Sequence, residues 1–465
     1  MNTERSSLAN AYREQLAREA IGVGELTRQA DEDRVLRICF PAAPLPAPGF
    51  ISAAERAGLA ADIGTVYRLL TELPERLYGG DAGALADAVG LTGGQARLVG
   101  RATAGPLLRL ARADLHHCAD GFKLLELNIS SALGGVEIAL LNQAMLGHPA
   151  LARFTAERGL GHVDTVRHIA AMVRAQCGRL PGRPVVALAV WPGEYTALQV
   201  WMHIYADLLD DLGIDAMPCH VGELVERGAR LEVQGRPLDA VLRLFLIDEV
   251  RTRRDEVVLE PLLRAVESGA VQLIGRLDGE LYGNKGALAL LLDDRFRSAC
   301  DAGERACLDR FLPWTRPVRS KVRLPDGSLG DLESYARAEQ HDLILKPVLS
   351  HSGVGIVAGW TVPPEQWQDQ VRQALDGPYV LQRRVKPLPE VFPGPDGDQE
   401  FYLNWGVFVT DPSATGSDGY GGCYLRATGD PEAGAVYEAN AAKIGCVFHE
   451  EAAPGDGGLA QSARW

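Results

Sequence analysis

Eight cysteines are scattered through the 465 residues with no Cys-x-x-Cys pair and no Cys/His cluster at zinc spacing, so neither a disulfide framework nor a zinc site is suggested. His116, His117 and Cys118 are adjacent, but neighbours on a strand point to opposite faces, and the trio reads as packed or exposed structure. Nowhere do about 18 apolar residues run uninterrupted, which excludes an obvious spanning helix. The N-terminus, MNTERSSLANAYREQ, has no charged-then-apolar signal pattern, and a cytoplasmic protein is expected. Positive charge is short as well: 47 Lys and Arg stand against 61 Asp and Glu, a net charge of −14. Nucleic-acid or anionic-membrane binding through bulk charge is therefore disfavoured, and an anionic substrate needs a local basic pocket. Two common phosphate loops are missing, since neither GxxxxGK[ST] nor GxGxxG opening a helix occurs. There is no internal repeat.

What is present is an ordinary globular composition, 46% hydrophobic and 23% charged, in a chain long enough for several structural units. Within an N-terminal helical region, 1–105, residues 7–35 read as helix and 53–100 as further helices broken at Pro74, Gly79-Gly80 and Gly93-Gly94. Residues 106–180 read as two strands followed by helices. A compositional change at Arg179 to Pro184 opens 181–280, where the strands VVALAV, IDAMP, DAVLRLFLI and VQLIG alternate with helices. That alternation predicts a small, mostly parallel α/β layer. Residues 281–465 mix strands with Gly-rich turns. The fold class is α/β (α+β).

Three stretches carry chemistry. In DLILKPVLSHSGVGIVAGW an apolar strand ends at Lys346, and a loop with Ser352, Gly353 and Gly355 follows. Glycines let backbone N–H groups approach an anion, and a lysine adds a point charge, which suits a polyphosphate. An ordinary β-hairpin with a glycine turn remains the alternative. Lys285 begins a helix in GNKGALALLL, and Gln382 follows an apolar strand, where a hinge could read an adenine edge. The third stretch is RLARADLHHCADGFKLLELN. A three-residue hairpin loop over 119–121, with Gly121 left-handed, places Asp114 opposite Glu126 and Arg112 opposite Asn128. All four then share one face. Two adjacent carboxylates repel, so either a hard cation such as Mg²⁺ or a structural ion pair with Arg112 resolves the conflict.

These residues resemble the ATP-grasp ligases: Lys346 with its glycine loop, Asn284-Lys285, the Gln382 hinge and the Glu126-x-Asn128 pair. In most of that superfamily the E-x-N strand follows the lysine, whereas here it precedes Lys346 and its loop by over 200 residues. That order resembles the glutathionylspermidine synthase-like branch, in which the grasp fold is circularly permuted. The branch pattern R-x-D, eleven residues, E-x-N matches Arg112, Asp114, Glu126 and Asn128. The resemblance is good over about 107–145 and 276–450, and nothing corresponds to the Cys/His amidase domain of the branch's best-known members.

The resemblance implies a permuted ATP-grasp core, with 181–280 as its pre-ATP-grasp layer. It implies ATP and Mg²⁺, two ions, as cofactors, the metal held by Asp114, Glu126 and Asn128. Lys285, Lys346, Ser352, Gly353, Gly355 and Gln382 would hold nucleotide, Arg112 and Arg426 would assist phosphoryl transfer, and Ser130 and Ser131 would lie by the substrate. The implied activity joins a small-molecule carboxylate to an amine through an acylphosphate. A phosphotransferase on the same fold, or a nucleotide-binding protein without turnover, are the alternatives. Neither nucleic acid nor membrane is an expected partner, and a homodimer is the default. Trp191, Glu194, Tyr195 and Arg243 lie near strand ends, where core packing or a surface role explains each singly.

Overall fold

The computed structural model describes residues 3–101, 103, 107–178, 182–349, 353–433 and 441–451, and it shows a mixed α/β architecture with several sheets. Ser352 lies outside the described residues. No described helix is long and apolar enough to cross a membrane.

The largest sheet is assembled from distant parts of the sequence. Its antiparallel centre runs Lys443–Glu450, Tyr420–Thr428, Gln399–Thr410, Leu110–Cys118, Gly121–Ile129, so an early hairpin is added to the edge of three late strands. Between the two stretches expected to be helical, 7–35 and 53–100, the short strands Ala43–Pro44 and Gly49–Ile51 pair in parallel with Lys443–Glu450. Pro389–Phe392 pairs with the outer part of Gln399–Thr410.

A four-stranded sheet runs in the order Gln272–Ile274, Ala240–Arg243, Val185–Val190, Asp215–His220. All three of its strand pairings are parallel. Val185–Val190 is buried along nearly its whole length, which explains its unbroken apolar run, since a strand covered on both faces need not alternate. The helix Thr165–Cys177 shows how such cover is specified. Asp164 caps it by accepting from the Arg167 N–H, and Val166, Ile169, Ala170 and Val173 fall on one buried face. A small antiparallel meander, Val225–Arg227, Arg230–Val233 and Arg236–Pro237, was not expected.

A second antiparallel sheet faces the hairpin: Thr315–Pro317, Tyr379–Arg383, Leu343–Pro347, Val357–Ala358. It has a core of its own around Leu332, Leu343, Trp367 and Leu381. One larger core runs through the N-terminal helices, the main sheet and the parallel layer.

The hairpin reaches its expected cross-strand pairs by an unexpected route. Cys118 pairs with Gly121, so the turn spans two residues rather than three, and His116 faces Lys123. Gly121 does take the positive φ, 104°. A register shift follows: Leu115 faces Leu124 but Asp114 faces Glu126, leaving Leu125 as the extra residue of a β-bulge. The bulge restores the pairing that a longer turn would have set, and it lies beside the acidic pair, where such irregularities re-aim side chains.

Candidate active site

Between the hairpin and the second sheet lies a cleft of about 250 Å³. Its floor is one face of the main sheet. Side chains two apart share a face, so Arg112, Asp114 and His116 project into it from one hairpin strand and Glu126 and Asn128 from the other, with Tyr402 and Asn404, then Tyr424, Arg426 and Thr428, from the two late strands. Register aligns them across the sheet. Glu126, Asp114, Gly406 and Tyr424 form one row, and Asn404 stands opposite Arg426.

The roof supplies two lysines. Asn284 caps the helix Lys285–Leu291 by accepting from the Gly286 N–H, and its amide donates to the Val89 carbonyl. Gly279 and Gly283 let this segment lie directly on the hairpin, since a Cβ at either would stand under 3 Å from the Ile129 backbone. Lys285 thereby reaches Glu126, Nζ to Oε2 at 3.1 Å. Lys346 leaves the strand Leu343–Pro347 and donates to the Gln382 side-chain oxygen at 2.7 Å, while the Gln382 amide donates to Thr315 Oγ1. Gly353 and Gly355 both take a φ of 75°, and Gly353 lines the cleft.

The floor is tied together by arginines. Asp114, 3% exposed, accepts from Arg112 Nε at 2.8 Å and Nη2 at 3.1 Å. Arg426 Nη2 lies 2.8 Å from Asp114 Oδ2 and donates to Asn404 Oδ1 at 2.6 Å. Arg426 Nε is buried with no hydrogen-bond partner among the described residues. The Tyr424 ring lies beside both guanidinium groups, at 5.6 Å from Arg112 and 5.3 Å from Arg426, within range for cation–π attraction. Two glycines make room for that ring, because a Cβ at Gly406 would approach it to 2.4 Å and one at Gly135 to 2.9 Å. Arg112 also donates to the Gly134 carbonyl, so the Gly134-Gly135 step closes over the arginine and the tyrosine.

The charge balance of the cleft reverses that of the whole chain. Its lining residues include six arginines and lysines, Arg112, Lys285, Lys346, Arg383, Arg384 and Arg426, against the three acids Asp114, Glu126 and Asp430. Burial pushes the Lys346 ammonium down to about 8, and Lys285 adds to this against the pull of Glu126 and Asp114. Glu126 is held well below the usual carboxylate range: burial opposes its charge, but Lys285 and Lys346 outweigh that cost. Burial and the neighbouring Lys346 and Arg426 lower His116 to about 4, so its ring is neutral at pH 7. His116 Nδ1 lies 3.3 Å from the Val385 carbonyl, which can only accept. Nδ1 therefore carries the proton.

The structure thus gathers Arg112, Asp114, Glu126, Asn128, Lys285, Lys346, Gly353, Gln382 and Arg426 around one cleft. Gly355 does not line it; this residue packs near Pro347 instead. Ser130 and Ser131, expected beside a substrate, are 7% and 4% exposed and are engaged internally. Ser131 Oγ donates to the Arg243 and Ile274 carbonyls. Ser130 Oγ accepts from the Ala132 N–H and from Arg243. Sequence reasoning missed Tyr402, Asn404 and Tyr424, whose alternation with Arg426 along the late strands is the signal that could have found them.

A hard-oxygen donor set suits Mg²⁺, which takes one or two carboxylates and fills its remaining positions with water and substrate phosphates. Asp114, Glu126 and the Asn128 side-chain carbonyl supply such a set. No group of three or more His, Cys, Asp or Glu among the described residues is placed to hold a metal ion, so the protein alone offers a partial shell.

No family model and no curated protein matches the sequence. Among the solved structures that are similar at low identity are the following two. One is a glutathione synthetase-like effector from Globodera pallida in apo form, 12% identical, with 85% of this chain and 84% of that chain covered and a TM-score of 0.49. The other is a candidate gamma-glutamylcysteine synthetase from Methylobacillus flagellatus KT, 13% identical, with 86% and 89% covered and a TM-score of 0.44. At TM-scores under 0.5 nothing is carried over from either to this chain, and the functional reading rests on the cleft.

Proposed function

We propose that the chain is an ATP-dependent carboxylate–amine ligase of the circularly permuted ATP-grasp type. The observation that carries this reading is the convergence of four buried or nearly buried cations, Arg112, Lys285, Lys346 and Arg426, on the carboxylates of Asp114 and Glu126. A structural ion pair needs one cation per carboxylate. The surplus, together with the unpartnered Arg426 Nε, fits a polyanion.

In this reading Lys285 and Lys346 hold the nucleotide phosphates, and Gln382 and the adjoining backbone lie toward the base. Asp114, Glu126 and Asn128 would hold Mg²⁺, which would neutralise phosphate charge. A substrate carboxylate oxygen attacks the γ-phosphorus, and the bond to the β-phosphate oxygen breaks, giving an acylphosphate and ADP. An amine nitrogen then attacks the acyl carbon, phosphate leaves, and the amine gives up a proton. Phosphoryl transfer demands in-line positioning and charge stabilisation more than covalent help. Arg112 and Arg426, held against Asp114 and Tyr424, supply that charge in this reading. Small amino acids or peptides are the proposed substrates.

The test is to incubate the protein with ATP, Mg²⁺ and pools of carboxylates and amines, following ADP and phosphate release. Lys346→Ala and Glu126→Ala should each lower that release by about 100- to 1,000-fold while leaving the unfolding midpoint near wild type. Amide product detected by mass spectrometry separates a ligase from a phosphotransferase that stops at the phosphorylated acid. No release with any pair, or full activity in both variants, would sink the reading.

A further inference from the structure

On the face of the main sheet opposite the cleft lies a second cavity, of about 190 Å³. His116 and His117 are neighbours on one strand, so their side chains leave it on opposite faces: His116 lines the cleft and His117 lines this cavity. The helix Thr3–Arg18 forms one wall with Ala9, Tyr12 and Arg13, and the strand Pro389–Phe392 forms another with Glu390. Ala47, Phe50, Leu388 and Phe392 make much of the rest apolar.

The chemistry of this cavity differs from that of the cleft, since its lining carries one guanidinium and one carboxylate. Arg13 Nη2 pairs with Asp398 at 2.5 Å and Nη1 donates to Asn10 Oδ1 at 3.2 Å, but Nε is buried with no acceptor among the described residues. The hydroxyl of Tyr12, a fully buried residue, has none among them either. Glu390 Oε1 accepts from the Trp405 indole N–H at 3.2 Å, and a carboxylate can take further donors beside that one. A balance of one charge against one does not suit a polyphosphate, and a purely apolar molecule would leave Arg13 Nε without an acceptor. The volume, below the roughly 300 Å³ at which drug-sized pockets begin, limits the occupant to something small. An amino acid brings a carboxylate for Arg13 Nε, an ammonium for Glu390 and a short body for the apolar wall. We propose that the cavity is a second ligand site, for a small amino acid with an apolar side chain, and that its occupant acts on the cleft through the segment Val385 to Leu388.

That segment is held at its two ends by consecutive residues of one strand. The Val385 carbonyl lies 3.3 Å from His116 Nδ1 on the cleft side, and the Leu388 N–H donates to the His117 carbonyl at 2.8 Å. Val385 and Pro387 line the cleft, whereas Leu388 and Pro389 line the cavity. An occupant packed on Leu388 therefore bears on a backbone that also shapes the cleft, and by linkage whatever factor it imposes on nucleotide affinity the nucleotide imposes on it. The amino-acid site stands apart from the nucleotide reading above; only the link between the two rests on that reading.

The test is isothermal titration calorimetry on the full chain with L-valine, L-leucine, L-methionine and L-phenylalanine in turn. At least one should bind with a Kd of about 1 mM or tighter, and its carboxamide and its N-acetyl form, each lacking one charge, should bind at least about tenfold more weakly. Arg13→Met, which removes the guanidinium, and Ala9→Leu, which fills the cavity, should each weaken it by about tenfold or more, whereas Arg426→Met, on the other face of the sheet, should leave it unchanged. Saturation with that amino acid should shift the Kd of a β,γ-imido ATP analogue with Mg²⁺ by at least about threefold in the wild type and not in Arg13→Met. Binding by none of the four overturns the site and leaves a water as the partner of Arg13 Nε. Binding that survives both Arg13→Met and Ala9→Leu, or that is lost in Arg426→Met, places the amino acid elsewhere and overturns it too. Equal binding of the carboxamide or the N-acetyl form overturns the choice of an amino acid. An unshifted analogue Kd overturns the link alone, and an analogue that does not bind at all overturns the link together with the nucleotide reading, while the amino-acid site stands.

Discussion

Two buried arginine networks lie on either side of the Ile129–Gly135 segment, and they differ in one respect. At the junction with the parallel layer, Arg243 is 0% exposed and every guanidinium nitrogen is used. Nε donates to the Gly275 carbonyl, Nη1 to Phe245 and to Glu280 at 2.6 Å, and Nη2 to Ser130 and the Arg276 carbonyl. In the cleft, Arg426 is 4% exposed and spends Nη2 on two acceptors while Nε has none among the described residues. A network with one carboxylate per cation and all donors satisfied is architecture. A network with surplus cations and a donor left over has a group that a ligand or an ordered water can satisfy.

The largest effect that would break this contrast is on stability at the junction. Arg243→Met leaves Glu280 buried without its partner and several carbonyls without donors, and should cost about 3–5 kcal/mol, read as a shift of the urea midpoint. Arg426→Met should cost under about 1 kcal/mol, because Asp114 keeps both donors of Arg112, yet it should remove most of the binding of an ATP analogue. Equal destabilisation by the two substitutions would show that the cleft network is structural too.

A finer probe uses the glycines that each network needs. A Cβ at Gly275 would meet Ser131 Oγ at 2.1 Å, at a φ of +76°, and one at Gly406 would meet the Tyr424 ring at 2.4 Å. Gly275→Ala and Gly406→Ala should each cost about 1–3 kcal/mol from overpacking. Only Gly406→Ala displaces the ring that flanks Arg112 and Arg426, so only it should also lower turnover. A parallel loss of activity in both variants would merge the two regions into one functional unit.

The two networks also differ in how far the sequence revealed them. The hairpin's four residues, Arg112, Asp114, Glu126 and Asn128, lie within 17 positions of one another, and strand alternation alone places them on one face. Their pairing came out as expected although the turn did not, because the bulge at Leu125 cancels the shorter turn. The strand Val185–Val190 was legible from its unbroken apolar run. By contrast, Tyr424 and Asn404 join the site through pairings that span nearly 300 positions, and no local pattern encodes such a register. The internal engagement of Ser130 and Ser131 is hidden from the sequence for a related reason. Nothing local announces that Arg243, over 100 positions away, will claim Ser130 and the strand carbonyls will claim Ser131.

The smallest predicted effect concerns the loop that links the two regions. Leu246 lines the cleft, and its N–H donates to Glu249 Oε2 at 2.7 Å. Burial raises the Glu249 carboxyl to about 7, and the neighbouring acids Asp248, Glu194 and Glu280 add to this against the Leu246 hydrogen bond. A carboxyl whose folded value lies above its unfolded one contributes stability that is complete below about 4.5 and is lost as pH rises through about 7. Allowing for its partial exposure, the loss should be about 1–2 kcal/mol between pH 5 and pH 8. Glu249→Gln keeps the acceptor for the Leu246 N–H and removes the ionisation. Urea unfolding should therefore show the wild type falling in stability across this range and the variant falling less by that amount. Superimposable profiles would mean that Glu249 ionises in the folded chain as freely as in the unfolded one, and that the cleft's outer wall is open to solvent in a way the sealed Arg243 junction behind it is not.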